Sequence, residues 1–163
     1  MSASFSVAGR VVDVAGRRVF PALVSVAEGR IAAVEPLAEA PADAGFLLPG
    51  FIDAHVHVES SMLVPTEFAR AAVVHGTVAT VSDPHEIGNV LGVAGVEYML
   101  ANAAQCPLKF NFGAPSCVPA TTFETAGATI TVAEVEQLLD DPRIRYLSEM
   151  MNFPGVLHGD PEC

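Results

Sequence analysis

Apolar and polar positions change rhythm once along the chain, near its fiftieth residue. Before that point three short Val-rich runs, Phe5 to Val14, Val19 to Ala27 and Arg30 to Val34, are punctuated by Gly9, by Gly16 with Arg17, and by Glu28-Gly29. Short β-prone runs broken by turn residues are the pattern of strands joined by tight hairpins, so a small antiparallel sheet is expected. Pro36 to Gly45, rich in Pro and Ala, interrupts it and reads as a linker or irregular crossing. From Phe46 on, strand and helix patterns alternate. Phe46 to His57 is an apolar run ending in polar residues; Thr66 to His75 has helical spacing, with Thr66 as N-cap, Phe68, Ala71 and Ala72 facing inward, and Gly76 as the stop. Thr77 to Ser82, Leu108 to Ala114 and Ile144 to Ser148 are strand-like, while Asn89 to Ala104 and Thr131 to Asp140 are helical. Thr131 with Glu134 three positions on forms a capping-box signature. Strands alternating with helices of ~10 to 15 residues imply parallel βαβ units.

Each predicted strand of this second part ends in residues able to do chemistry. The ends are Asp53-Ala54-His55-Val56-His57, Asp83-Pro84-His85-Glu86, Pro115-Ser116-Cys117 and Glu149. In parallel α/β sheets and barrels, functional groups gather at the carboxyl ends of the strands. His55 and His57, two apart on an extended segment, point to the same face about 7 Å apart along the chain. They can converge on one cation, or stand as ordinary polar residues at a strand end. Glu149 read alone is a ligand carboxylate or a surface residue after a strand.

Charge narrows the field of partners. Eight Lys and Arg stand against nineteen Asp and Glu, a net charge of −11 over 163 residues. Nucleic-acid binding requires clustered cations to neutralise phosphates, and these are thinly spread, so no nucleic-acid partner is expected. No basic start precedes a long apolar run, and no stretch reaches the ~18 apolar residues of a membrane helix, so no membrane association and a cytoplasmic location are expected. Cys106, Cys117 and Cys163 are odd in number and lack CxxC spacing, which offers neither a disulfide framework nor a zinc knuckle.

The segment Pro49-Gly50-Phe51-Ile52-Asp53-Ala54-His55-Val56-His57 is far more restrictive than a bare pair of histidines. With the preceding Val-rich sheet closing in Glu28-Gly29-Arg30-Ile31-Ala32-Ala33-Val34, it resembles the amidohydrolase superfamily, whose first barrel strand ends in such a segment. Three further motifs, His57-Val58-Glu59-Ser60-Ser61-Met62, Ser82-Asp83-Pro84-His85-Glu86-Ile87-Gly88-Asn89-Val90 and Ser148-Glu149-Met150-Met151-Asn152-Phe153-Pro154-Gly155-Val156, resemble in order those of the bacterial adenine deaminase family. Ser116-Cys117-Val118-Pro119-Ala120 does likewise.

That resemblance implies an α/β fold: about the first four strands of an incomplete TIM-type (β/α) barrel over residues 49–163, preceded in residues 1–48 by a β-sheet segment of a composite sandwich. It implies hydrolysis of adenine to hypoxanthine and ammonia, with His55, His57 and Glu149 as metal ligands and Glu149 bridging two cations. The cofactor is then a divalent metal, a binuclear Mn or Fe centre with Zn as the alternative; an all-nitrogen-and-oxygen donor set suits these ions. Glu86 is expected first, and His85 second, to carry protons. Read as turn chemistry, Asp83-Pro84 opens a turn and Glu86 begins a helix. Asp83, Ser116 and Cys117 are assigned to the substrate, although Ser116 and Cys117 also fit a structural turn closed by Pro115 and Pro119. Ser60 or Ser61 would orient a ligand or cap the next helix, His75 would end a helix, and His158 lies in a Gly- and Pro-rich loop. A closed barrel needs ~250 residues, at least ~200. The expectation is therefore a fragment, inactive alone, of an enzyme that is a homo-oligomer at full length. The alternatives are another cyclic amidohydrolase, hydantoinase- or dihydroorotase-like, and a noncatalytic remnant acting as an interaction module.

Overall fold

The computed structural model describes residues 4–163, which divide into two compact units between Pro49 and Gly50. In the first, β1 (Phe5–Asp13), β2 (Arg18–Ala27) and β3 (Arg30–Pro36) form an antiparallel meander. A two-residue strand, β4 (Phe46–Leu47), adds parallel to β1, giving the order β3-β2-β1-β4. Glu28 and Gly29, at φ 52° and 73°, make the two-residue loop between β2 and β3. Two successive positive φ values match the twist of a hairpin, and Gly29 takes the second at no steric cost. Pairing of Val7 with Val24 and Val11 with Phe20 gathers apolar side chains on one face of this sheet.

The second unit is a parallel α/β array. It runs β5 (Phe51–Val56), a 3₁₀ turn (Val58–Ser61), α1 (Pro65–Val73), β6 (Thr77–Ser82), α2 (His85–Leu91), α3 (Val93–Ala103), β7 (Lys109–Ala114), α4 (Val132–Leu139), β8 (Ile144–Leu147) and α5 (Phe153–His158). The sheet order β5-β6-β7-β8 is that of the sequence, with every neighbouring pair parallel. All four strands therefore deliver their carboxyl ends to one side.

Strand alternation sorts the residues of β7 between two faces. Phe110, Phe112 and Ala114 on β7 meet Val96, Met99, Leu100 and Ala103 of α3 in the apolar core, which Val58, Leu138 and Ile144 complete. Asn111 and Gly113 take the opposite face of β7, while Thr80 and Ser82, in register with Phe110 and Phe112, share the covered one. Thr80 Oγ1 and Ser82 Oγ lie 2.8 Å apart, Asn111 Nδ2 donates to the Thr80 carbonyl at 2.9 Å, and the Tyr146 hydroxyl donates to the Ser82 carbonyl at 2.8 Å. Gly113 makes room for Tyr146 on the face opposite Phe112: a Cβ there would meet Ser148 Oγ and lie 2.6 Å from the Tyr146 ring.

Several local expectations need correction. The run Phe46 to His57 is two strands, not one, because Pro49 offers no N–H to continue a ladder. Phe51 instead starts the second sheet, donating its N–H to the Gly76 carbonyl at 2.9 Å. Thr66 is inside α1, whose N-cap is Val64, and its backbone N–H is taken by Asn102 Oδ1 at 2.9 Å. The helix expected from Asn89 begins at His85 and is interrupted by Gly92 at φ 61°, ψ −144°. His158 ends a short helix capped by the Asn152 side chain. The capping box on α4 is present in both directions, Thr131 accepting from Glu134 N and Glu134 accepting from Thr131 N. Among the described residues no helix is long and apolar enough to cross a membrane.

Candidate metal centre

His55 lies on β5, His57 follows its last residue, and Glu149 stands two residues past β8. The two histidines leave the strand on one side, as residues of equal parity must. Parallel register brings β8 to the same end of the sheet, and with it Glu149. His55 Nε2 is 2.9 Å from His57 Nε2, His57 Nε2 is 3.2 Å from Glu149 Oε1, and His55 Nε2 is 3.7 Å from that same oxygen. Donor atoms placed tetrahedrally about a cation at ~2.0–2.1 Å stand roughly 3.3 Å from one another. The three separations straddle that value. Two imidazole nitrogens facing each other across 2.9 Å need a proton or cation between them, since two lone pairs repel.

A second pair of groups adjoins this triangle. Asp83 is buried at 5% exposure, and neither carboxylate oxygen has a hydrogen-bond partner among the described residues. His85 Nδ1 sits 3.1 Å from Asp83 Oδ2, close enough for an ion pair but outside hydrogen-bond alignment. One donor atom each of His57, Asp83, His85 and Glu149 lies within 4.8 Å of every other. A buried carboxylate left without donors is costly unless a cation or proton accompanies it. The nitrogen-and-oxygen set, devoid of thiolate, fits a divalent metal.

The electrostatics follow from this crowding. Burial opposes the charged imidazole of His85, but the close Asp83 carboxylate, with the charges of Glu86 and Glu149, outweighs it and pushes its pKa up. Burial raises the carboxyl of Glu59. Burial and the charges of Asp83 and Glu149 push Tyr146 up to about 12, so its phenol stays protonated at neutral pH.

His85 and Glu86, which follow the end of β6, form the first turn of α2. Glu86 is engaged at both oxygens: Oε2 is 3.0 Å from His57 Nδ1 and Oε1 accepts from Ser60 Oγ at 3.0 Å. Ser116 touches the centre indirectly, its hydroxyl donating to the Glu149 carbonyl at 2.5 Å. Cys117 stands beside it, 3.4 Å from Ser116 Oγ. Both line a cavity of about 300 Å³ with Thr121, Ile130, Met150 and Asn152. Ser61 turns back to the Val58 carbonyl at 2.6 Å, closing the 3₁₀ turn rather than facing the centre. Sequence reasoning missed Tyr146, which lies inside a strand rather than at its end.

The amidohydrolase family model matches residues 46–158, which hold the whole donor set. An adenine deaminase of Sulfurovum sp. strain NBC37-1 is 62% identical over 151 residues, covering 93% of this chain and 28% of the relative. That of Salinibacter ruber is 62% identical, covering 99% and 29%, and that of Methanothermobacter thermautotrophicus is 52% identical, covering 94% and 28%. The chain thus spans under a third of the length of these relatives. On the match across its parallel unit, the chain belongs to the amidohydrolase family.

Proposed function

We propose that this chain contributes the first metal-binding and substrate-facing portion of an adenine deaminase. The reaction is adenine plus water to hypoxanthine plus ammonia: the C6–N6 bond breaks and an oxygen from water takes its place. The observation that carries this reading is the convergence of His55 Nε2, His57 Nε2 and Glu149 Oε1 within 3.7 Å at the strand ends, in a chain 62% identical to named adenine deaminases.

His55, His57 and Glu149 would hold a divalent cation, and a second ion beside Asp83 and His85 would make the centre binuclear, with Mn or Fe ahead of Zn. When bound, such a metal supplies Lewis-acid activation of water near neutral pH. The protein's own groups manage the protons. Both oxygens of Glu86 are occupied, whereas His85 Nε2 comes no nearer than 3.9 Å to a Glu86 oxygen while Asp83 restrains its Nδ1. His85 is therefore the favoured carrier, taking a proton from the attacking water and returning one to the ring or the departing amine. Ser116 and Cys117 border the base: with its proton given to the Glu149 carbonyl, the Ser116 oxygen remains free to accept from the exocyclic amine.

Sequential parallel order is that of an arc of a (β/α) barrel, and the first unit's apolar sheet face would belong to a composite sandwich. Homo-oligomerisation completes the expectation for the longer protein. The test is a chimera in which residues 1–163 replace the matching part of the Sulfurovum relative. Adenine should be converted to hypoxanthine, followed by chromatography, with bound divalent metal. Replacing His55 and His57 together by Ala should remove turnover and at least tenfold of the metal affinity. Full metal content in that double variant, or turnover of hydantoin or dihydropyrimidine substrates instead of adenine, would overturn the reading.

A further inference from the structure

His57 presents its two ring nitrogens to different chemistry. Nε2 faces His55 and Glu149, while Nδ1 faces two oxygens, Glu86 Oε2 at 3.0 Å and the Asp83 carbonyl at 3.1 Å. An ionised carboxylate and a carbonyl only accept hydrogen bonds, so Nδ1 has to carry the proton, which leaves the lone pair on Nε2. Only that tautomer can donate electrons toward the centre.

What holds Glu86 in place comes from a different part of the chain. Ser60 Oγ donates to Glu86 Oε1 at 3.0 Å, so the carboxylate is tethered at both ends. Glu59 Oε1 accepts the backbone N–H of Ile87 at 3.3 Å, in the first turn of a helix whose own N-cap, Pro84, gives no side-chain cap. Between His57 and Glu59, Val58 is fully buried in the apolar core. The turn after β5 is therefore anchored below by Val58 and gripped above by the start of α2.

We propose that Ser60 and Glu86 are positioning residues that hold His57 as its Nδ1–H tautomer, with Glu59 fixing the helix start that carries Glu86. The brace couples the two motifs His57-Val58-Glu59-Ser60 and His85-Glu86-Ile87, which lie on separate strands' ends. It rests on the reading of His57 as a cation ligand, but the tautomer is a property of the metal-free chain. Partners on the outer nitrogen of a ligand histidine commonly change metal affinity by about 10- to 100-fold.

The experiment records long-range ¹H–¹⁵N spectra of the metal-free 163-residue chain labelled at histidine, at about pH 8.5, above the usual imidazole range. His57 should show a protonated Nδ1 and a bare Nε2. In Glu86→Ala the ratio of the two tautomers should shift about tenfold toward Nε2–H, the scale of a lost charge-assisted hydrogen bond. Ser60→Ala should shift it by about threefold, and Ser60→Thr, which keeps the hydroxyl, should restore the wild-type ratio. Glu86→Gln preserves volume, guards against a folding defect, and should also move the ratio because its amide can donate to Nδ1. Mn²⁺ titration followed by EPR should show affinity falling in the same order. Tautomer ratios unchanged within twofold in folded Glu86→Gln and Ser60→Ala would overturn the brace, the Asp83 carbonyl then sufficing. Absence of Mn²⁺ binding by the wild-type chain would instead strike at the cation reading, and the tautomer ratios would still decide the brace.

Discussion

Val58 sits directly between a donor histidine and the turn that braces it, and its side chain is fully buried among Val96, Phe112 and their neighbours. Val58→Ala removes two methyl-sized groups, worth about 1.6 kcal/mol at ~0.8 kcal/mol per buried carbon. A cavity that fails to collapse adds roughly 1 kcal/mol at ~24 cal/mol per Å³. The expected loss is therefore about 2–3 kcal/mol. At a urea slope of ~2 kcal/mol/M it lowers the unfolding midpoint by about 1–1.5 M. Circular dichroism during a urea titration measures this. Leu100→Ala, in the last turn of α3, is the control: it removes a core side chain outside the turn after β5, at a comparable or larger cost of ~2–5 kcal/mol. If the turn positions His57, divalent-metal affinity measured below the unfolding transition drops in Val58→Ala and stays near wild type in Leu100→Ala. Equal affinities in the two variants would refute the coupling, and a midpoint shift under 0.3 M, less than about 0.6 kcal/mol, would refute the packing estimate.

Two further outcomes follow from other parts of the fold. Gly113→Ala introduces a Cβ against Ser148 Oγ and 2.6 Å from the Tyr146 ring, so it should destabilise by about 1–3 kcal/mol and break the bond from Tyr146 to the Ser82 carbonyl; an unchanged melting temperature would contradict it. Asp141 is held at about 2 by hydrogen bonds from the Arg143 side chain and backbone, whereas its unfolded carboxyl titrates near ~3.9. The sign follows: the contribution is full above about pH 4 and is lost as pH falls toward 2, because only the unfolded chain takes up the proton in that window. The urea midpoint of Asp141→Asn should decline less steeply than that of wild type over that range; parallel curves would refute the assignment.

The polar groups of the parallel sheet also bear on specificity of packing. Asn111 and Tyr146 donate to the backbone carbonyls of Thr80 and Ser82, tying β6, β7 and β8 together, while the Thr80 and Ser82 hydroxyls pair with each other. Such a network ties register to hydrogen bonding, since a slipped strand leaves buried groups unpaired.

Much of the local structure was legible along the chain because its causes are local. Hairpin turns at Glu28-Gly29, the Thr131–Glu134 capping box and the alternation of strand and helix depend on hydrogen bonds within a few residues, and periodicity reports them. The equal parity of His55 and His57 belongs to the same class. The break at Gly92 was not read from the chain, whereas the split at Pro49 and a helix starting by Glu86 have local causes that the sequence carries. Tertiary structure alone decided that Glu149 meets His57, that Asp83 is buried without donors, and that Glu86 turns toward Nδ1 rather than toward the centre. These contacts join residues separated by whole βα units, and only the register of parallel strands sets them, because alternation tells which face a side chain takes but not what stands opposite it.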